Sequence, residues 1–348
     1  MAGRYDASLE QLAALLAGEA PYRVRQVWDG MHRRATPPAE LTELPGPLRA
    51  RLAEHPALQP ALKVVTESRA DSDQTIKWLW RLADGAAVET VLMKYPDRAT
   101  VCVSTQAGCA MGCTFCATGQ AGFTRHLTPG EIIEQVVVAI GAARPHRVSN
   151  VVFMGMGEPL ANYDAMWSSI ERLHDHIGIS ARHLTVSTVG LVPGIRRLAT
   201  ERLPVNLAVS LHAANDALRD TMIPINRRWP LAVLTEACRE YLACKGRRLS
   251  FEWAMIDGVN DKPSDAAELA AIARPLAAHV NLIPLNPTPG YPTRGTALAD
   301  VRAFRVQLLE LGVNATVRQN RGCEIDAACG QLAAGQSLRP LSRSRVPH

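Results

Sequence analysis

Three cysteines crowd into one short stretch of this chain. Cys109, Cys113 and Cys116 lie in CVSTQAGCAMGCTFCATGQAG, residues 102–122, in a CxxxCxxC spacing. Thiols this close together point to a metal site. Four of them would close a structural zinc or a fully ligated iron–sulfur cluster. Three without a near fourth point to a cube-type 4Fe-4S cluster with one iron left open. Zinc sites use paired CxxC or Cys/His knuckles, and no second pair follows at a suitable distance. Gly108, Gly112, Gly119 and Gly122 give the backbone freedom to wrap a bulky group. An aromatic residue, Phe115, directly precedes the last cysteine.

The rest of the chain must build a scaffold for that loop. With 348 residues, 47% hydrophobic and 20% charged, it can form one large α/β barrel with small appendages. No run of about 18 apolar residues exists, so no transmembrane helix and no membrane partner are expected. The opening MAGRYDASLEQL is polar, then amphipathic, and lacks the basic-then-apolar layout of a signal peptide. A cytoplasmic location is the expectation, and a reducing compartment suits a cluster. The net charge of +5 is compatible with an RNA partner. Codon bias toward arginine and alanine explains it equally well.

Four regions follow from the patterning. In residues 1–60, Leu9, Leu12, Leu15 and Leu16 recur at helical spacing. Then YRVRQVWDGMHRR sets Val24, Val27, Trp28 and Met31 on one face, and TPPAELTELPGPLRARLAEH predicts a short helix pair. This N-terminal helical accessory domain either docks RNA through its arginines or is an amphipathic cap with solvated arginines. Residues 61–99 change period: LKVVTESR, QTIKWLWRL and AAVETVLMKYP alternate like strands, with Ala83-Asp84-Gly85 as a turn, predicting a small β extension. Residues 100–290 alternate strands with helices. Residues 291–348 form a C-terminal extension with a helix, the strand NATVRQ, the segment RGCEIDAACGQL and a tail.

The 100–290 region decides the fold class. ATVCVST runs into the cysteine loop, and Thr128 caps a helix that opens at Pro129. SNVVFMG, HLTVSTVG, VNLAVSLH, LSFEWAMI and VNLIPLN follow, each separated from the next by a helical segment. Six βα units predict an α/β fold, a partial (β/α)6 barrel.

Reactive groups in such barrels lie at the C-terminal strand ends. Gly157 and Glu158 follow VVFM, Ser187 and Thr188 follow HLTV, Ser210, Leu211 and His212 follow VNLAV, and Asn286 follows VNLIPL. Singly, each has a plain reading: GMGEP as a turn, His212 as a packed histidine. Together they fit a site for a polar, zwitterionic molecule, with Glu158 accepting from an ammonium group. Far along the chain, Cys329 lies among Ala327, Ala328 and Gly330. A buried inert cysteine is the ordinary case, but small neighbours leave room for something to approach.

The cysteine spacing with its aromatic resembles the radical S-adenosylmethionine (SAM) superfamily. With CVSTQAGCAMGCTFCATG, VVFMGMGEPL, LAVSLHA, NLIPLNP and IDAACGQL taken together, the chain resembles the RlmN/Cfr family of radical-SAM RNA methyltransferases over nearly its whole length. The resemblance implies a radical-SAM barrel and one cluster held by Cys109, Cys113 and Cys116, with SAM at the open iron and two SAM used per turnover. It implies SAM contacts from Gly157, Glu158, Ser187, Ser210, Leu211, His212 and Asn286. It implies a methyl-carrying Cys329, a resolving thiol Cys102 that forms a transient disulfide with it, and Glu89 as proton acceptor, a task Cys102 could share. The implied substrate is C2 of adenine 2503 in 23S rRNA, protein-poor or still assembling, with C2 of adenine 37 in tRNAs as a second target. A reductant such as flavodoxin or ferredoxin is implied, and the chain is expected to act as a monomer. Cys238, Cys244 and Cys323 have no partner by spacing and read as structural.

Three other readings compete. A Cfr-type enzyme would methylate C8 of the same adenine with the same catalytic residues; RGCEIDAACGQL, LHAAND and GMGEP look more like the C2 enzymes. Methylthio transfer needs a further N-terminal cysteine triplet, and the first cysteine here is Cys102. A non-enzymatic iron–sulfur RNA-binding protein would leave Glu158, Ser187, Ser210 and Asn286 unexplained.

Overall fold

Why the helix after the cysteine loop starts where it does is a matter of local chemistry. Thr128 accepts from the Glu131 amide, the Glu131 side chain accepts from the Thr128 amide, and Pro129 occupies the first helical position. This capping box satisfies donors that the helix itself cannot. In a computed structural model of the chain, residues 3–332 are described apart from 287, 289, 292, 319, 320, 328 and 329.

Twelve strands and eleven α-helices occur among the described residues. The helices are α1 (Leu9–Leu15), α2 (Tyr22–His32), α3 (Gly46–Glu54), α4 (Ala117–Ala121), α5 (Pro129–Ala143), α6 (Tyr163–Arg172), α7 (Val192–Thr200), α8 (Asp216–Met222), α9 (Leu231–Lys245), α10 (Pro263–Ala273) and α11 (Leu298–Glu310). None is long and apolar enough to cross a membrane.

Ten strands form one sheet. An antiparallel meander, β1 (Lys63–Ala70), β2 (Thr75–Arg81) and β3 (Ala87–Lys94), pairs onto β4 (Ala99–Cys102). From β4 the sheet runs parallel through β7 (Val148–Phe153), β8 (Leu184–Thr188), β9 (Asn206–Ser210), β10 (Leu249–Met255), β11 (His279–Pro284) and β12 (Ala315–Val317). Six of these parallel strands are the ones the sequence predicts for a partial barrel. The seventh is NATVRQ, which joins the sheet edge rather than standing apart. The β extension likewise continues the barrel sheet, because β3 pairs with β4 from Val91↔Cys102 to Lys94↔Ala99.

β5 (Gln106–Gly108) and β6 (Phe123–His126) make a separate hairpin that brackets the cysteine loop. Alternation in the sequence does not reveal so short a pair. It depends on Gly108, whose φ is +76° and whose missing Cβ would meet the Gly122 carbonyl oxygen at 2.0 Å.

The N-terminal helices bury the apolar faces expected of them. Leu12, Leu16, Val27, Trp28, Met31 and Leu52 are core residues, whereas Leu9 is exposed. They are not detached from the barrel. Asp6 accepts from the Gly130 amide at 2.7 Å and from the Thr128 hydroxyl at 3.0 Å, so its charge sits at the positive end of α5. Glu134 reaches back to the Ala61 amide at 2.7 Å and pairs with Arg4 at 3.5 Å.

Candidate active site

The parallel strands deliver their C-terminal ends to one cavity. It is a cleft of about 1180 Å³ including its open mouth. Cys102 comes from β4, Gly155, Gly157 and Glu158 follow β7, Ser187 and Thr188 end β8, and Ser210 and His212 end β9. Asn286 follows β11, and Cys109, Cys113, Phe115 and Cys116 come from the loop. Ala327, Gly330 and Leu332 close the cavity from the C-terminal extension. Cys329 itself lies outside the described residues.

The three loop thiols converge. Burial pushes the Cys109 thiol up to about 12, with the neighbouring Glu158 and Cys116 charges adding to it. Cys113 is likewise raised well above the ordinary thiol range, by burial and by Cys116 and Cys109, and Arg219 counters this only in part. Thiols so placed become thiolates when cationic iron binds them. The donor set therefore fits a cluster. Among the described residues no three His, Cys, Asp or Glu side chains stand close enough to share a single ion. A cube-type cluster does not ask this, because each thiolate takes a different iron.

Phe115 is held by packing. Its ring meets His212 edge-on at 4.8 Å between centroids and Tyr291 at 6.5 Å. His212 has φ +57°, a strained value for a non-glycine residue. Its Nδ1 accepts from the Ala254 amide at 2.9 Å and its carbonyl accepts from Asn260 Nδ2 at 2.8 Å. Burial, aided by Arg219, pushes its pKa down to about 3. The ring is therefore neutral with its proton on Nε2.

Glu158 is a buried carboxylate with ordered partners. Oε1 accepts from the Leu160 amide at 3.0 Å and Oε2 from the Val189 amide at 2.9 Å. Burial still raises its pKa to about 7. A cation arriving in the cavity would favour its ionised form. Gly157 lets this turn pass Gln106: its φ is +100°, and a Cβ there would lie 2.5 Å from the Gln106 Cβ.

Two predicted residues do not line the cavity. Leu211 is wholly buried in the core, as strand alternation requires once Ser210 points inward. Glu89 sits on β3 two residues from Val91, which pairs with Cys102. It therefore shares the sheet face of Cys102, and its carbonyl accepts from Ser104 Oγ at 2.6 Å. Its carboxylate forms an ion pair with Lys77 at 3.4 Å. Cys238 is buried in the core and Cys244 is exposed; the Cys323 side chain lies outside what is described.

Three further residues belong to the site. Glu252, midway along β10, lines the cavity; its Oε1 accepts from Asn281 Nδ2 at 2.8 Å and Ser250 Oγ at 3.0 Å. Its Oε2 is buried without a partner among the described residues. The carboxylate inside the apolar run LSFEWAMI was the available signal. Arg219, fully buried, donates to the carbonyls of Val189 (2.7 Å), Ser210 (3.2 Å) and Leu211 (3.0 Å), so it clamps the ends of β8 and β9. Arg318, just after β12, also lines the cavity.

The sequence of residues 103–270 matches the model of the radical SAM superfamily. A dual-specificity RNA methyltransferase RlmN of Anaeromyxobacter dehalogenans is 50% identical, the alignment covering 93% of this chain and 90% of that protein. The chain belongs to the RlmN family of radical SAM RNA methyltransferases. A Chloroflexus aurantiacus protein, named "Probable dual-specificity RNA methyltransferase RlmN", is 51% identical over 97% of this chain and 94% of its own length. A crystal structure of a radical SAM methyltransferase from Sphaerobacter thermophilus superposes with a TM-score of 0.91, at 49% identity, over 96% of this chain and all of that one. RlmN membership brings with it a 4Fe-4S cluster, SAM and an RNA substrate, and the partial barrel is the radical SAM fold.

Proposed function

We propose that this RlmN-family enzyme methylates C2 of adenine 2503 in 23S rRNA and C2 of adenine 37 in tRNAs. The observation that carries the reading is one cavity lined by the loop thiols, by Cys102 and by Ala327, Gly330 and Leu332. Radical generation and methyl transfer would then share a single chamber.

Cys109, Cys113 and Cys116 would hold the cluster, and Glu158, Ser187, Ser210, His212 and Asn286 would hold SAM. The bound cluster and SAM supply the hydrogen-atom abstraction needed because adenine C2 has no lone pair to attack a sulfonium methyl. The chain's own residues do the rest. Cys329 thiolate takes a methyl group from a first SAM, here a substrate, and carries it as a thioether. Glu89 removes the C2 proton once carbon is joined to the base and the unpaired electron of that adduct has passed to a one-electron acceptor, for which the oxidised cluster would serve. Cys102 thiolate then attacks the Cys329 sulfur, an S–S bond forms, and the S–C bond breaks; its electron pair passes to the departing CH2 group and into the adenine ring, and that carbon takes up a proton to become the methyl group of the released base. The disulfide must be reduced before the next turnover, so two SAM and an electron donor such as flavodoxin or ferredoxin are consumed per cycle. His212, neutral and fixed, would donate from Nε2 without exchanging its proton.

The helices of residues 1–60 would dock RNA. The adenine must leave its stack to reach the barrel mouth, as for other base-modifying enzymes. The enzyme would act in the cytoplasm as a monomer. The test is Cys329→Ala: methylation should vanish while iron content stays intact, and an active variant would overturn the assignment. C2 is preferred over C8 because 50%-identical relatives along most of the chain carry the RlmN name.

A further inference from the structure

Lys77 lies mid-strand on β2, where a lysine is costly to bury. Its register partner is Val91 and that of Leu79 is Glu89, so Lys77 and Glu89 are diagonal neighbours on the face that also carries Cys102. The side chains of Lys77 and Glu89 are only 13% and 3% exposed. The Lys77 ammonium pairs with Glu89 Oε1 at 3.4 Å and also donates to the Asp326 carbonyl at 3.2 Å. An ammonium has three donors and can hold both acceptors at once. Asp326 stands three residues before Cys329 in the sequence, and its neighbour Ala327 lines the cavity with Cys102.

We propose that Lys77 is a positioning residue that keeps Glu89 ionised and ties it to the segment carrying the methyl-bearing cysteine. This rests on Glu89 being the acceptor of the C2 proton. A carboxylate buried this deeply ionises only when a cation offsets its lost hydration. Lys77 supplies that charge. In the step it supports, Glu89 takes H⁺ from C2, and the electron pair of the broken C–H bond stays on the base. The proton transfer itself moves no electron off the base; the unpaired electron of the adduct leaves separately, to a one-electron acceptor for which the oxidised iron–sulfur cluster of the loaded enzyme would serve.

Among the described residues, three groups face Glu89. Lys77 comes from β2, Cys102 from β4 and Asp326 from the C-terminal segment, where the Asp326 carboxylate turns to Gln331 Nε2 at 3.5 Å. β5 brings only Gln106–Gly108, which has no titratable side chain. α5 packs on the opposite face, through the Thr90–Gln135 hydrogen bond.

The experiment uses full-length enzyme with reconstituted cluster, and follows resolution of the covalent protein–RNA adduct on denaturing gels against pH. Lys77→Met should accumulate adduct at neutral pH, with the acid limb of the resolution rate moved up by about 1–3 pH units, the span one neighbouring cation imposes on a carboxylate. Lys77→Arg should restore the profile, and iron content and SAM affinity should stay at wild-type values. Should Lys77→Met fail to load iron, Lys77→Gln, which keeps donors but no charge, should show the same shift. An unshifted profile in the uncharged variants, or an arginine variant as slow as the methionine one, overturns the inference. Glu89→Gln separates the two ideas. If it resolves adduct at the wild-type rate, the base assignment itself falls and the inference with it. If it accumulates adduct while the uncharged Lys77 variants behave as wild type, only the inference falls.

Discussion

The Ala117 amide donates to the Gly330 carbonyl at 2.9 Å. Ala117 directly follows Cys116, and Gly330 directly follows Cys329 in sequence. One backbone bond thus ties the end of the cysteine loop to the C-terminal segment, across more than two hundred residues of chain. A second bond next to it, from Thr118 Oγ1 to the Leu332 carbonyl at 2.6 Å, is buried.

That second bond gives the first prediction. Thr118→Val keeps the shape but leaves the Leu332 carbonyl unpaired, a cost of about 1–3 kcal/mol. The C-terminal segment should loosen: limited proteolysis near residue 332 should quicken and methyl transfer should slow, with iron content unchanged. Wild-type protease resistance would show that the tie contributes nothing.

The cysteines should divide by function. Cys113→Ala should lose iron and sulfide on reconstitution, because a ligand is gone. Cys102→Ala should keep both and trap RNA on the protein, because the adduct has no resolving thiol. Full iron in the first variant, or slow turnover without adduct in the second, would contradict the division.

Glu252 offers a binding test. Glu252→Gln keeps the acceptor for Asn281 and Ser250 but changes the cavity-lining side chain at Oε2, which is buried without a partner among the described residues. If SAM donors fill that position, its Kd should rise about tenfold, the equivalent of one charge-assisted contact at roughly 1.4 kcal/mol. Equilibrium dialysis reads this directly, and an unchanged Kd would place Glu252 outside the ligand's reach.

Acid should weaken the N-terminal helices first. His32 is fully buried against Trp28, its rings 4.0 Å apart, and burial pushes its pKa down to about 4. The unfolded chain binds a proton near pH 6.5 that the folded one refuses, so stability falls as pH drops from about 6.5 toward 4. The loss approaches roughly 3 kcal/mol. Thermal unfolding between pH 7 and 5 should show it, and His32→Phe should make the dependence shallower, the remainder coming from groups such as His212. An identical slope in the variant would assign acid lability elsewhere.

Which parts were legible in the sequence follows from how far each residue's partners lie along the chain. The α5 cap was readable because Thr128, Pro129 and Glu131 satisfy one another locally. The strand-end residues were readable because βα alternation fixes where strands finish. Lys77, Glu252 and Arg219 are not legible in the sequence, since their partners come from other segments: Glu89 and Asp326 for Lys77, Asn281 for Glu252, and the Val189 and Ser210 carbonyls for Arg219. Leu211 turns into the core while its neighbours Ser210 and His212 line the cavity. The β5–β6 hairpin escaped notice because three- and four-residue strands carry almost no periodicity.

The most direct measurement is mass spectrometry of the modified base after anaerobic reaction of the cluster-loaded enzyme with SAM, a reductant and a 23S rRNA fragment. The account predicts 2-methyladenine at position 2503. Recovery of 8-methyladenine, or SAM cleavage without any methylated adenine, would contradict it.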